Sequence, residues 1–215
     1  MRIHAPGEYF HVFSRGVRKH SIFENVSDYL RFLFVILAYQ GEDRITNTSR
    51  EVKRSIHNKF IKIDSDLENK VLEERSVELV AFCLMPNHFH LIVKELSEDG
   101  LSKYMQRVLT AYSKYFNIKH EKSGYVFQGK YKSVLVSSDK QLLHLSAYIH
   151  KNPIELGWKN NEEKYLWSSY QDFLGKNRFN NLLSPGVIMD RYEGKFAGYK
   201  RFVGTSLAKE GSLDG

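Results

Sequence analysis

A single cysteine, Cys83, stands in the 215-residue chain, inside the apolar run Val80-Ala81-Phe82-Cys83-Leu84. One thiol cannot close an internal disulfide, and this setting suits a small core residue rather than a catalytic nucleophile. Long hydrophobic runs are missing too. No apolar stretch approaches the length of a membrane span, and Met1-Arg2-Ile3-His4-Ala5-Pro6-Gly7 lacks the apolar core of a secretion signal, so the expectation is a cytoplasmic protein with no membrane partner. Internal repeats, coiled-coil heptads and low-complexity tracts are absent as well. Acidic residues are scarce where they would matter most: residues 101–153 hold nine Lys or Arg against Glu121 and Asp139, a surplus equal to the +7 of the whole chain.

What is present is enough to build a core. A 42% hydrophobic share over this length predicts one domain, or one domain with an appendage, and rules out disorder throughout. Thirteen Tyr and fourteen Phe fit either a packed α+β interior or a surface on which bases stack. Basic stretches interleaved with aromatics are a footprint for phosphate backbones, although a solvated basic helix face has the same composition.

The periodicities predict an order of elements. Residues 8–14 are aromatic and β-branched enough for a strand, which Arg15-Gly16 ends; Asn25 or Ser27 can cap a helix running to about Gln40. From Gly41 to Ser76 the pattern weakens into a charged insertion with one helix between Asp64 and Glu74. Val77 to Met85 and His88 to Glu95 then read as a β-hairpin across Pro86-Asn87. Leu101 to His120 is an amphipathic helix, Tyr131 to Ser137 a half-buried strand, and Asp139 can cap a helix from Gln141 to about Lys151, stopped by Asn152-Pro153. This β-α-β-β-α-β-α order predicts an α+β, ferredoxin-like (split βαβ) antiparallel sheet with helices on one face. Residues 1–157 would form the main domain, with the insertion at 41–76. Residues 158–215 would be a C-terminal extension, whose Tyr165-Leu166-Trp167-Ser168-Ser169-Tyr170 cluster packs back onto it.

His88-Phe89-His90 carries the first chemical signal. Residues two apart on a strand share a face, so both imidazoles project from one surface about 7 Å apart at Cα, with Phe89 turned into the core. Two such imidazoles can reach one divalent ion, but an isolated His-x-His is more often a pair of strand histidines bonded to neighbours than a metal site. Tyr148 and Asn152, four apart, share a helix face, and Asn152 can offer an amide oxygen as a third ligand. Two imidazoles and an amide oxygen suit Mg²⁺ or Mn²⁺. Tyr148 alone is one tyrosine of thirteen. His144, one turn before it, is either an orienting group or helix surface. A tyrosine with a reference pKa near ~10 needs a metal that neutralises phosphate charge before it can attack phosphorus; the product would be a phosphotyrosine that conserves the bond for rejoining.

Four strings occur together: Tyr9-Phe-His-Val-Phe-Ser-Arg-Gly16, Leu84-Met-Pro-Asn-His-Phe-His-Leu-Ile-Val93, Gly124-Tyr-Val-Phe-Gln-Gly-Lys-Tyr-Lys-Ser133 and Tyr148-Ile-His-Lys-Asn-Pro153. In this order they resemble the single-tyrosine HUH transposases, particularly the REP-associated tyrosine transposase branch. The resemblance covers about Glu8 to Gly175. It implies that His88 and His90 are metal ligands, Asn152 the third ligand and Tyr148 the nucleophile. It further implies an enzyme that cuts and rejoins single-stranded or hairpin DNA through a 5′-phosphotyrosine with Mg²⁺ or Mn²⁺. Arg15, Arg107, Gln128, Lys130 and Lys132 are the candidate DNA contacts. The resemblance leaves monomer and homodimer both open, and the long insertion at 41–76 departs from it. The competing expectation is a domesticated module that binds DNA or RNA hairpins without cleavage; a hydrolase using only the His-x-His centre would need further ligands.

Overall fold

A computed structural model describes residues 6–42, 45–57, 60–192 and 195–206. Strand β1 (Tyr9–Arg15) leads into α1 (Val26–Ala38). The insertion follows as α2 (Thr48–Ser55), β2 (Ile56–His57), β3 (Phe60–Ile61) and α3 (Ser65–Glu73). Next come β4 (Val77–Met85), β5 (His88–Glu95), α4 (Gly100–Lys119), β6 (Lys132–Val136) and α5 (Asp139–Lys151). The extension holds α6 (Tyr170–Phe173), α7 (Gly186–Met189) and α8 (Phe196–Thr205). Among the described residues the main sheet has the order β4-β5-β1-β6 with every neighbouring pair antiparallel, which is the expected split βαβ arrangement.

The insertion is more ordered than its sequence pattern suggests. The one helix predicted there exists as α3, capped by the Asp64 side chain, which accepts from the Leu67 amide at 2.9 Å. Val52, Ile61, Ile63 and Val71 from this segment join the core under α1, so four scattered apolar residues anchor an otherwise polar stretch. The last residues of the extension, 207–215, lie outside the described chain.

Both faces of the sheet are covered, not one. On the first face Phe10, Val12, Phe82, Leu84, Phe89, Leu91 and Val93 meet α1 and α4 through Phe32, Leu33, Tyr104, Val108 and Tyr112. On the second, Val80, Cys83, Met85 and Ile92 meet Leu145 and Ile149 of α5 together with Tyr165, Phe173, Ile188 and Tyr199 of the extension. The reason is visible in β4, whose run Val77–Met85 is buried almost without interruption, as a strand covered on both sides should be. A β-bulge between Leu79 and Ala81 shifts the register against β5. The extension also closes the free edge of β4. The Leu84 amide donates to the Trp167 carbonyl at 2.8 Å, the Ser169 amide to Phe82 at 3.0 Å and the Ser184 amide to Leu79 at 2.9 Å, leaving that edge no longer open to pairing with another chain.

Helix α1 begins at Asn25 with a capping box in which Asp28 receives the Glu24 and Asn25 amides at 2.9 and 3.2 Å. The same buried carboxylate takes Lys119 Nζ at 2.7 Å and His120 Nε2 at 3.1 Å, tying the start of α1 to the end of α4. Burial pushes its pKa up, but the hydrogen bonds from Lys119 and the Glu24 amide and the charges of Lys119 and His120 outweigh this and hold it below the usual carboxylate value. A carboxyl depressed in the folded state stabilises fully above its unfolded pKa and ceases to do so as the pH falls through its folded one. Asp28→Asn is therefore expected to lower the unfolding free energy by about 2 kcal/mol at pH 7. The gap between mutant and wild-type urea midpoints should narrow once the pH drops below about 4; a gap unchanged from neutral to strongly acid pH would rule out the charge as its source.

Candidate active site

The turn between β4 and β5 sets the site. Met85 pairs with His88 across Pro86-Asn87, and the loop after β1 grips this turn: the Ile22 and Phe23 amides donate to the Pro86 carbonyl at 2.8 and 3.0 Å, and the Gly16 amide to Asn87 at 2.8 Å. Gly16 lets this loop fold tightly on itself, because a Cβ there would stand 2.1 Å from the His20 carbonyl oxygen. Asn87 Nδ2 donates to the Lys19 carbonyl at 3.3 Å, which orients the amide so that Oδ1 faces His88 Nδ1 at 2.7 Å. A carbonyl oxygen only accepts, so His88 donates from Nδ1 and carries its lone pair on Nε2.

His88 and His90 share a face as their spacing predicts, with ring centroids 5.1 Å apart, while Phe89 is fully buried on the opposite face against Phe32. Tyr148, carried by α5, is brought to this same face from far along the chain. Its ring stands edge-on to His90 at 5.4 Å and to His11 at 6.1 Å. Asn152 begins a short 3-10 turn directly after α5; it is buried, and its Nδ2 donates to the Tyr148 carbonyl at 3.0 Å. That bond presents the amide oxygen, the atom suited to a hard cation, away from the helix carbonyl. Among the described residues no group of three or more His, Cys, Asp or Glu is placed to hold a metal, so a cation here would rest on two imidazoles completed by an amide oxygen, phosphate or water.

Beside the histidines lies a cleft of about 330 Å³ lined by Phe13, Ser14, Arg15, His88, Phe89, His90, Gln128, Lys130 and Lys132. The segment carrying Gln128 is docked on the end of β1, with Gln128 N donating to the Arg15 carbonyl at 2.8 Å and Val17 N to Val126 at 3.0 Å. Lys132, opposite Phe13 in the β1–β6 register, places Nζ over that ring at 5.8 Å. Arg15, Gln128, Lys130 and Lys132 thus converge with His88 and His90. Arg107 does not: from α4 its guanidinium donates to the Tyr39 and Glu42 carbonyls at 3.1 and 2.7 Å, binding groups just past the end of α1. His144 packs against Phe202 and is helix surface.

A family model described as IS200-like transposase matches residues 39–152, slightly more than half of the chain. The chain belongs to the IS200-like transposase family. A Haemophilus influenzae protein assigned as a REP-associated tyrosine transposase is 28% identical to this chain over 109 residues, which make up 46% of this chain and 61% of that relative. A solved structure, of a REP-associated tyrosine transposase bound to a REP hairpin, superposes with a TM-score of 0.52 at 16% identity, covering 83% of this chain and 86% of the other. This last likeness is one of fold.

Helix α5 is fixed by a buried polar chain that sequence reasoning did not foresee. Ser138, not the expected Asp139, is its cap, accepting from the Gln141 amide at 3.2 Å. His150 is fully enclosed: Nδ1 meets Tyr199 Oη at 2.7 Å and Nε2 meets Ser169 Oγ at 2.9 Å. Tyr199 donates to Ser146 at 2.9 Å, and Ser169 Oγ receives the Phe82 amide at 2.9 Å. Burial pushes His150 down to about 3, so it is a neutral structural imidazole. The chain bolts the face of α5 away from the cleft to β4 and α8. Ser169→Ala strips partners from His150 and from the Phe82 amide, and is expected to cost about 2 kcal/mol in urea unfolding. A change below about 0.5 kcal/mol, the usual range of surface substitutions, would mean the chain is not structural.

Proposed function

We propose that this protein is a transposase that cuts and rejoins single-stranded DNA with Tyr148 as the nucleophile and Mg²⁺ or Mn²⁺ held by His88, His90 and the Asn152 amide oxygen, working in the cytoplasm. The observation that carries the reading is the meeting of the Tyr148 ring with His90, two side chains 58 positions apart in sequence, on one sheet face beside a basic cleft. The donor set fits such a cation: Asn87 holds His88 in the tautomer that leaves Nε2 as the ligating nitrogen, and the cation would neutralise phosphate charge at the scissile bond.

The chain's own residues do the rest. Arg15, Lys130 and Lys132 hold phosphates and Gln128 can bond to a base or sugar. Tyr148 Oη bonds to phosphorus as its proton passes to solvent and the P–O3′ bond breaks. The leaving oxygen takes a proton to become a free 3′-OH, and the DNA 5′ end remains on the tyrosine. Attack by a 3′-OH on that phosphotyrosine runs the same step backwards and reseals the strand, so no nucleotide hydrolysis is needed. The hairpin bound by the solved relative makes hairpin DNA the first substrate class to try.

With labelled hairpin oligonucleotides and Mn²⁺, wild type is expected to give a covalent protein–DNA adduct on denaturing gels that EDTA prevents and Tyr148→Phe abolishes. Adduct formation by Tyr148→Phe would sink the reading, and tight hairpin binding unaffected by EDTA with no adduct would favour a module that binds without cutting. In the same DNA, replacing Lys130 and Lys132 together by Ala should weaken binding and flatten the slope of log affinity against log salt by about 1.4, two single-strand phosphate contacts' worth. An unchanged slope would remove both lysines from the DNA path.

A further inference from the structure

We infer that His11 is a positioning residue for His90: it accepts the proton borne by His90 Nδ1 and so holds that imidazole in the form whose Nε2 can bind a divalent cation. The inference rests on the proposed role of His88 and His90 as ligands and adds a supporting residue from β1. His11 Nε2 and His90 Nδ1 lie 2.9 Å apart, both side chains are buried, and their rings stack with centroids at 5.1 Å and planes within 23°.

A neutral imidazole carries one N–H, so the bond between two of them can run in either direction. When His90 donates, its Nε2 keeps a lone pair. When His11 donates, His90 Nδ1 accepts, Nε2 carries the proton, and His90 cannot ligate through that atom. His88 has no such ambiguity, because the Asn87 oxygen opposite it only accepts. His11 is the ambivalent partner, and a cation at His90 Nε2 selects the direction in which His11 is acceptor with its own proton on Nδ1. His11 also stands edge-on to Tyr148, so one side chain from β1 sets the orientation of the ligand and borders the nucleophile.

The test is Mn²⁺ affinity, read from the free-ion electron paramagnetic resonance signal without DNA, in wild type, His11→Phe, His11→Gln and His90→Ala. Phe keeps the shape and removes the acceptor; Gln offers an amide oxygen at a similar reach. His11→Phe is expected to weaken Mn²⁺ binding by about 10–100-fold, with His11→Gln close to wild type. Far-UV circular dichroism and metal-free hairpin binding should be alike in wild type and the two His11 variants. Wild-type affinity in His11→Phe, or Gln as weak as Phe, overturns the inference while leaving His90 a ligand. Unchanged affinity in His90→Ala, or no Mn²⁺ binding by wild type, overturns the ligand assignment itself and this inference with it.

Discussion

The antiparallel pairing of Tyr9–Arg15 with His88–Glu95 is the contact on which the site depends. It sets Phe13 opposite His90 and puts His11 on the diagonal, within hydrogen-bonding reach. Because strand side chains alternate, slipping this register by one residue would turn His11 and Phe13 to the core and bring Phe10 and Val12 out beside the histidines. The slip is opposed on the core side, where Phe10, Val12, Phe89 and Leu91 are buried together against α1 and α4. Hydrophobic burial on one face therefore specifies polar geometry on the other, and no polar group at the site needs to select the register.

A second layer of support comes from elements distant in sequence. The loop after β1 clamps the hairpin turn through backbone hydrogen bonds, and the extension clamps α5 through the Ser146, Tyr199, His150 and Ser169 chain. Both clamps act through backbone groups or through side chains other than His88, His90 and Tyr148. This leaves the cleft lined by long basic side chains and two imidazoles, open to a ligand, while the backbone beneath is cross-braced.

Much of this was legible in the sequence, for definite reasons. The hairpin Val77–Met85 and His88–Glu95 emerges at its predicted bounds, because two apolar runs meet at a proline-containing turn and nothing competes with that pairing. Strand periodicity likewise puts His88 and His90 on one side and Phe89 on the other. His11 was not legible, since its partner is fixed by a cross-strand register that one sequence does not reveal; its only local signal is that it shares a face with Phe13 and Arg15. Asn87 read as turn chemistry, and its second duty toward His88 depends on a contact with Lys19 from another loop. Arg107 was grouped with the basic residues by charge alone, whereas its position on α4 gives it carbonyls past the end of α1 as partners. The cover on the second face was also underestimated, because a continuous apolar run in β4 fits a doubly buried strand as well as a singly buried one with neutral neighbours.

Phe89, set between the two histidines and packed on Phe32, gives the site a mechanical character. The three residues form a short rigid crossbar pivoted in the sheet, with aromatic ballast at the back and two imidazoles at the front. Trimming the ballast lets the bar rock, and a displacement too small to unfold the protein would be felt at the front as a change in the spacing of the two imidazoles. The interior behind the sheet thus acts as a tuning weight for the face in front of it, adjustable without altering any residue that lines the cleft.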